Sequence, residues 1–348
     1  SLREIDMIWP LLRLRLAVSV VNSTIMAREN PDDPYVLISQ EPAWAFLESR
    51  KVNPELIAAR LRVACGFGVN DSAGSVMEWL DENSGCFAQV LGRALDTLPR
   101  LSLSVADSTL PQNPFDLTPE EAATLCVENQ RFHLGYYAEP RLIYTDKAFY
   151  KEPFKAGKRR TVHMGVDIFA PAGTKVHAPL NATVEAVENC KNNLDYGGLV
   201  ILRHKTEKSM SFFTLYGHLN PESIGSLTAG QLIEKGQAFA ALGEQQHNSG
   251  WAPHLHFQTG LINTDPDWPG VVDPDELNFR SMLYPNPAAI LNLDAEKLLY
   301  HPPSKAGVLA ERKARFGQNL KLTYTDPVMF LRGWKTHLFD EWGRPFLD

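Results

Sequence analysis

Three short runs carry side chains whose types and spacing could do chemistry. In Pro253-His-Leu-His-Phe257, polar and apolar residues alternate. A strand repeats every two residues, so His254 and His256 fall on one face and Leu255 and Phe257 on the other. Two imidazoles side by side suit one metal ligand and one neighbouring base, and they equally suit a solvated face. The second run is His163-Met-Gly-Val-Asp167. A spacing of four puts both side chains on the same side of a helix or a strand, and Gly165 with Pro171-Ala-Gly173 favours strand and loop. Its nitrogen and carboxylate donors are ones that zinc accepts, although such a pair also occurs on ordinary surfaces. The third run, Tyr216-Gly-His218-Leu219, closes the strand-like segment SFFTLYGHL. A histidine there can point into a cleft or lie at a sheet edge.

The elements that must position these residues change character along the chain. Residues 1–110 read as helical. Apolar residues recur at helical spacing in IDMIWPLLRLRLAVSVVNSTIMA. Asn53-Pro54 reads as an N-cap and first helical proline opening PELIAARLRVAC, with Gly66 placed to end it. A further helix is expected over GSVMEWLDENSGCFAQVLGRALDTL. Pro111 to Pro114 reads as a linker, and Thr118 to Glu121 as a capping box. From Tyr136, short β-rich runs take over: RLIYT, TVHMGVDIFA, TKVHAPLNATVEAVE, GLVILRH, SFFTLYGHL, QAFAALG and PHLHFQTG. They predict a compact antiparallel sheet. Residues 264–280 read as loop, 287–299 and 303–315 as helices, and the last segment as strands around Glu341-Trp-Gly343. The expected fold class is multi-domain α+β: a helical N-terminal region, a central antiparallel β domain and a helical C-terminal linker. The expected boundaries are 1–112, 113–135, 136–264, 265–320 and 321–348.

Composition narrows the function classes. The 348 residues are 44% hydrophobic and 22% charged, enough for a sizeable core, and the net charge of -7 gives no reason to expect nucleic acid. No apolar run reaches the roughly 18 residues of a membrane span, so no membrane partner is expected. The four cysteines, Cys65, Cys86, Cys126 and Cys190, are widely spaced and fit reduced thiols in a cytoplasmic protein. The chain opens on Ser1-Leu2 and its last segment reads as cut within a domain, so a fragment of a longer chain is expected.

Taken together, the three runs resemble the lysostaphin/LytM-type zinc endopeptidases. That family shows H-x-x-x-D, then a strand ending in a Y-x-H-L-like segment, then H-x-H, and all three occur here in order. Ala170-Pro-Ala-Gly173, Val176-His-Ala-Pro179 and Pro253-His-Leu-His-Phe257 match as well. The resemblance covers residues 136–262. It implies that His163, Asp167 and His256 are zinc ligands and that His218 and His254 form the catalytic pair. Which of the two is the base stays open. Three protein ligands leave a fourth position for water. That family cuts peptidoglycan cross-bridges; the flanking neighbourhood points instead to a small peptide or amide. One departure is the loop QQHNSGW, bulkier than the family's small turn, which puts Trp251 near the cleft.

The flanks resemble other families. Residues 332–348 are similar to the opening of a class III pyridoxal-phosphate aminotransferase, and residues 1–100 to the helical C-terminal lobe of an aminoglycoside-phosphotransferase-like kinase. The neighbourhood implies covalently fused kinase-like and aminotransferase-like domains and small-molecule amine metabolism in the bacterial cytoplasm. Two alternatives stand beside a hydrolase. One is a catalytically silent metal-binding module between the flanking domains. The other is a non-haem iron site, since His/Asp/His also describes that facial triad; the extra pair His218 and His254 argues against it. A preceding segment holding the site latent is a further expectation, with Asn129 to Arg141, including His133 and Glu139, in the right place.

Overall fold

The computed structural model describes residues 1–49, 53–107, 132–144, 149, 159–192, 194–248, 250–264, 268–317 and 320–347. The chain divides into two compact units. One comprises Ser1–Ser75 with Leu261–Trp268, the other Val76–Gly260 with Pro269–Asp348. The linker and capping box expected at 111–121 lie outside the described residues.

The first unit is helical, as its periodicity predicts. Helix α1 spans Leu2–Glu29, α2 Gln40–Glu48 and α3 Pro54–Ala64. Asn53 caps α3, its side chain accepting from the backbone N–H groups of Glu55 and Leu56, and Pro54 follows at the first helical position. Gly66 sits just past the end with a φ of 82°, a conformation glycine adopts without cost. Arg62 ties the helices together, donating from Nε and NH2 to Asp6 and from NH1 to Asp71. Asn53 and Asn70 donate to the carbonyls of Asn263 and Leu261, which fastens the 261–268 segment to this unit.

Helix α4, Ala73–Glu82, ends earlier than its apolar pattern predicts. Phe87, Val90, Leu91, Leu95 and Leu98 are buried at near-helical intervals, yet the chain runs through turns from Asn83 onward. Gly85 has a φ of 88°. The backbone beyond it pairs elsewhere: Ala88 N–H donates to Pro179 O and His177 N–H to Val90 O. Competing backbone partners override the local period here.

The second unit is built on a seven-stranded antiparallel sheet. The strands that matter are β1 (His133–Leu134), β2 (Glu139–Pro140), β3 (Val162–His163), β4 (Val166–Phe169), β5 (Lys175–His177), β6 (Ala182–Cys190), β7 (Gly197–Lys205) and β8 (Ser211–Leu219). After the short helix α5 (Pro221–Ile224) come β9 (Leu232–Ile233), β10 (Ala238–Ala241), β11 (His254–Gly260) and β12 (Val271–Val272). The large sheet runs β1-β4-β11-β8-β7-β6-β9, with β12-β3-β2 and β10-β5 as smaller sheets. Strand β11 lies between β4 and β8 and is buried along its whole length. Its apolar face seats Leu255 and Phe257, with Phe257 edge-on to Tyr216 at 5.3 Å. No helix among the described residues is long and apolar enough to cross a membrane.

Three other expectations change. Of RLIYT, Arg141 to Tyr144 do not form a strand: Arg141 makes one isolated bridge to Ser104, and a turn follows. The helix expected over 287–299 shrinks to α7, Ala295–Leu298, because Asn292 takes a φ of 56° and spends its amide on Gly85 N–H and Phe87 O. The loop expected over 264–280 gives way at its end to α6, Leu277–Leu283. Helix α8, Lys305–Arg315, follows with Ser304 as its cap, and β13 (Phe330–Trp334), β14 (His337–Asp340) and β15 (Pro345–Leu347) form the expected strands around the turn.

Candidate metal centre

TVHMGVDIFA, expected as one strand, folds as two. His163 closes β3 and pairs with Val271 of β12 and Glu139 of β2, whereas Asp167 lies in β4 opposite His256 of β11. The break falls at Met164-Gly165. A Cβ on Gly165 would stand 2.5 Å from two ring atoms of His256, so only glycine admits that ring. The two side chains thus meet across a break between sheets and not through strand alternation.

The meeting is close. His163 Nε2 lies 2.9 Å from His256 Nδ1 and 3.1 Å from Asp167 Oδ1, and His256 Nδ1 lies 3.2 Å from the same oxygen. These three residues form the group among the described residues able to hold a metal ion. The far nitrogen of His256, Nε2, donates to Gln258 Oε1 at 3.1 Å, which leaves the Nδ1 lone pair facing inward. Gln258 is two residues past His256 on the same strand face. The pattern His-x-His-x-Gln carries that signal in the sequence.

His254 and His218 lie beside this corner. The rings of His218 and His254 are 4.1 Å apart. His254 Nδ1 donates to Ala252 O at 2.6 Å, so its Nε2 faces the centre, 3.7 Å from Asp167 Oδ1. His218, at the end of β8, takes a φ of 64°. It is held there by backbone bonds from its N–H to Tyr196 O and from Gly243 N–H to its carbonyl. A non-glycine residue in this region is strained, and such strain concentrates where a side chain must be aimed. Among the described residues, His218 Nδ1 has no hydrogen-bond partner. The Tyr196 ring stands beside both His218 and His256, at 6.1 and 5.3 Å.

Behind Asp167 lies a group that no sequence motif announces. Arg141 donates from NH1 to Asp167 Oδ2 at 2.6 Å and from Nε to Glu139 Oε2 at 2.7 Å. Glu139 accepts further bonds from Leu103 N–H and Ser102 Oγ. Glu139, expected as part of a blocking segment, therefore faces Arg141 and stands outside the three-donor group. Residues 129–131 of that segment lie outside the described residues.

All five site residues are at most 5% exposed, and burial shifts the three histidines His163, His218 and His254. It pushes His163 down to about 3, with Arg141 adding to the effect. Burial and then the His254 neighbour hold His218 well below its ordinary value, and burial lowers His254. Burial alone would raise Asp167, but His163 and Arg141 hold its carboxyl well below the usual range. His163, His218 and His254 are thereby held neutral and Asp167 ionised at neutral pH, the forms in which such groups ligate metals. Trp251 packs against an apolar cluster beside His254. Its ring is edge-on to Tyr144 of that cluster at 6.2 Å, and Phe149, Phe169 and Ala252 complete the surroundings.

The remaining histidines stand apart. His204 is buried, stacked on Phe212 and bonded to Thr214 and Asn181. His177 packs on Gly92, and His301 is exposed.

The central region is similar to metallopeptidases. Residues 161–266 match Peptidase family M23. A stretch of 112 residues is 35% identical to an uncharacterised metalloprotease of Haemophilus influenzae, covering 30% of this chain and 21% of that protein. The chain thus spans about a fifth of the length of that relative. Among solved structures, a zinc-containing peptidase of Vibrio cholerae is 25% identical over 36% of each chain, with a TM-score of 0.24. The catalytic domain of lysostaphin from Staphylococcus simulans is 22% identical over 46% of this chain and 98% of that one, with a TM-score of 0.27.

Proposed function

We propose that residues 161–266 form a zinc-dependent peptidase or amidase, with His163, Asp167 and His256 as the ligands and His218 and His254 as the catalytic pair. The observation that carries this is the convergence of His163 Nε2, Asp167 Oδ1 and His256 Nδ1 at separations of 2.9, 3.1 and 3.2 Å. Donors about 2.0–2.1 Å from a tetrahedral zinc stand about 3.3 Å from one another, so the residues present fit that ion.

Zinc held there would polarise an amide carbonyl and acidify a water. The chain's own residues supply the rest. With Nδ1 committed to Ala252 O, His254 can take a proton at Nε2, on the side facing the corner. His218, fixed by its backbone bonds and with Nδ1 unpartnered, can donate to a developing oxyanion or to the leaving nitrogen. The apolar cluster around Trp251 and Tyr144 excludes water from the His254 side. The substrate is a peptide or small amide.

The burial of all five residues favours a second reading: a catalytically silent metal-binding module. Metal analysis and hydrolysis of a peptide and amide panel separate the two. His218→Ala and His254→Ala should abolish hydrolysis while zinc content and fold persist. Stoichiometric zinc with no hydrolysis of any panel member by the unmutated chain would favour the silent module, and stoichiometric iron would remove the zinc reading. On sequence resemblance alone, the proposal extends to the flanks: a kinase-like domain before and an aminotransferase-like domain after, in a cytoplasmic bacterial enzyme.

A further inference from the structure

Arg141 reaches Asp167 from the side away from the histidines. Its guanidinium is gripped at both ends. Nε meets Glu139 Oε2 at 2.7 Å, while NH1 meets Asp167 Oδ2 at 2.6 Å and the Tyr144 hydroxyl at 3.3 Å. Glu139 is fixed in turn, because Leu103 N–H at 3.0 Å and Ser102 Oγ at 3.1 Å bond its other oxygen, Oε1. Backbone register locks the arrangement to the candidate ligands. Glu139 lies opposite His163 in the β2–β3 pair, and Arg141 N–H donates to Thr161 O at 2.9 Å.

Two consequences follow. A short charge-assisted bond on Oδ2 leaves Asp167 only Oδ1 to offer toward His163 and His256. A carboxylate free to use both oxygens would occupy the position that a catalytic zinc site keeps open. The second consequence is charge. Arginine alone beside Asp167 would cancel the negative charge that attracts a cation. Glu139 offsets that cancellation, so one positive and two negative groups leave one negative charge facing the corner. A net charge at this depth is costly unless it is paired, and a cation at Oδ1 would pair it.

We propose that Arg141, neutralised by Glu139, is a positioning residue that restricts Asp167 to one donor oxygen and thereby sets the coordination number and affinity of the metal at this site. The proposal rests on the metal reading above. Its test reads metal binding and not turnover. The full chain is loaded with cobalt(II), whose visible absorption falls as coordination number rises, and zinc affinity is measured by chelator competition. Glu139→Gln keeps the acceptor on Arg141 and removes its charge. Zinc binding should weaken by at least about tenfold, with the cobalt spectrum unchanged. The double variant Glu139→Met/Arg141→Met replaces the buried Arg141–Glu139 pair with apolar side chains and leaves Asp167 paired by the metal alone, so it is prepared and assayed with cobalt bound. It should fold, judged by far-ultraviolet circular dichroism, and its cobalt absorption should drop several-fold as Asp167 gains its second oxygen. Wild-type affinity in Glu139→Gln together with a wild-type cobalt spectrum in the double variant would overturn the proposal. An unmutated chain that binds neither metal would overturn the metal reading and this proposal together.

Discussion

Each unit of the molecule contains an arginine that bridges two carboxylates, and the two hubs differ in depth. Arg62 holds Asp6 and Asp71, with side-chain exposures of 11%, 36% and 80%. Arg141 holds Glu139 and Asp167, at 2%, 0% and 5%. At the first hub water solvates whatever the ion pairs leave unsatisfied, so each pair adds little. At the second, burial leaves most of the partners to the chain, although Arg141 NH2 has none among the described residues. Leu103 N–H, Ser102 and Tyr144 are among those partners. The same three charges make a helix clasp in one place and a platform beneath a reactive corner in the other.

The contrast leads to four expected outcomes. Asp167→Ala and His163→Ala should each take bound zinc from about one per chain to near zero. The far-ultraviolet signal of α1 to α3 should persist, since those helices bury their own faces. Metal analysis beside circular dichroism measures both, and collapse of the helices on losing the metal would show the deep corner to be structural. Arg141→Met alone strands Glu139 and Asp167 as unpaired buried charges, so it should cost about 3–5 kcal/mol in urea unfolding. A cost under about 1 kcal/mol would mean that the buried hub behaves like the exposed one.

The third outcome is pH dependence. Burial lowers His163 from its ordinary 6.5 to about 3. Between those values the folded metal-free chain binds fewer protons than the unfolded chain, so its stability falls as pH drops through that window. Asp6, held below its ordinary 3.8 by its bond to Arg62, contributes stability above pH 3.8 that is lost only on further acidification. Between pH 6.5 and 4, segment-resolved hydrogen exchange should therefore show the sheet loosening while the helical unit keeps its protection. The reverse order would contradict the assignment. Asp71→Asn, at the most exposed carboxylate of either hub, should change urea stability by less than about 0.5 kcal/mol.

What could be read without coordinates follows physical range. Helices α1 and α3 were legible because period and caps are local: Asn53, Pro54 and Gly66 stand where the chain needs them. The alternation in PHLHFQ was legible for the same reason, and His254 and His256 do share a face. Where the pattern misled, a distant partner had intervened. Phe87 to Leu98 keep helical intervals, but Pro179 and His177 claim their backbone. Asn292 breaks an apolar run because Gly85 and Phe87 claim its amide.

The candidate site divides along the same line. Residue types and spacing marked His163, Asp167, His218, His254 and His256 as candidates, and the resemblance of their order to the lysostaphin/LytM-type endopeptidases implied their roles. Sequence could not supply Arg141 or Glu139. Their role depends on β2 pairing with β3 and on Arg141 reaching Asp167, 26 residues further on, at a depth where a buried carboxylate needs a partner. Nor could it show that His163 and Asp167 converge through a glycine break that makes room for the His256 ring. Spacing of four was the right clue to that pair, but the three-dimensional crossing of the strands is what brings their donors together.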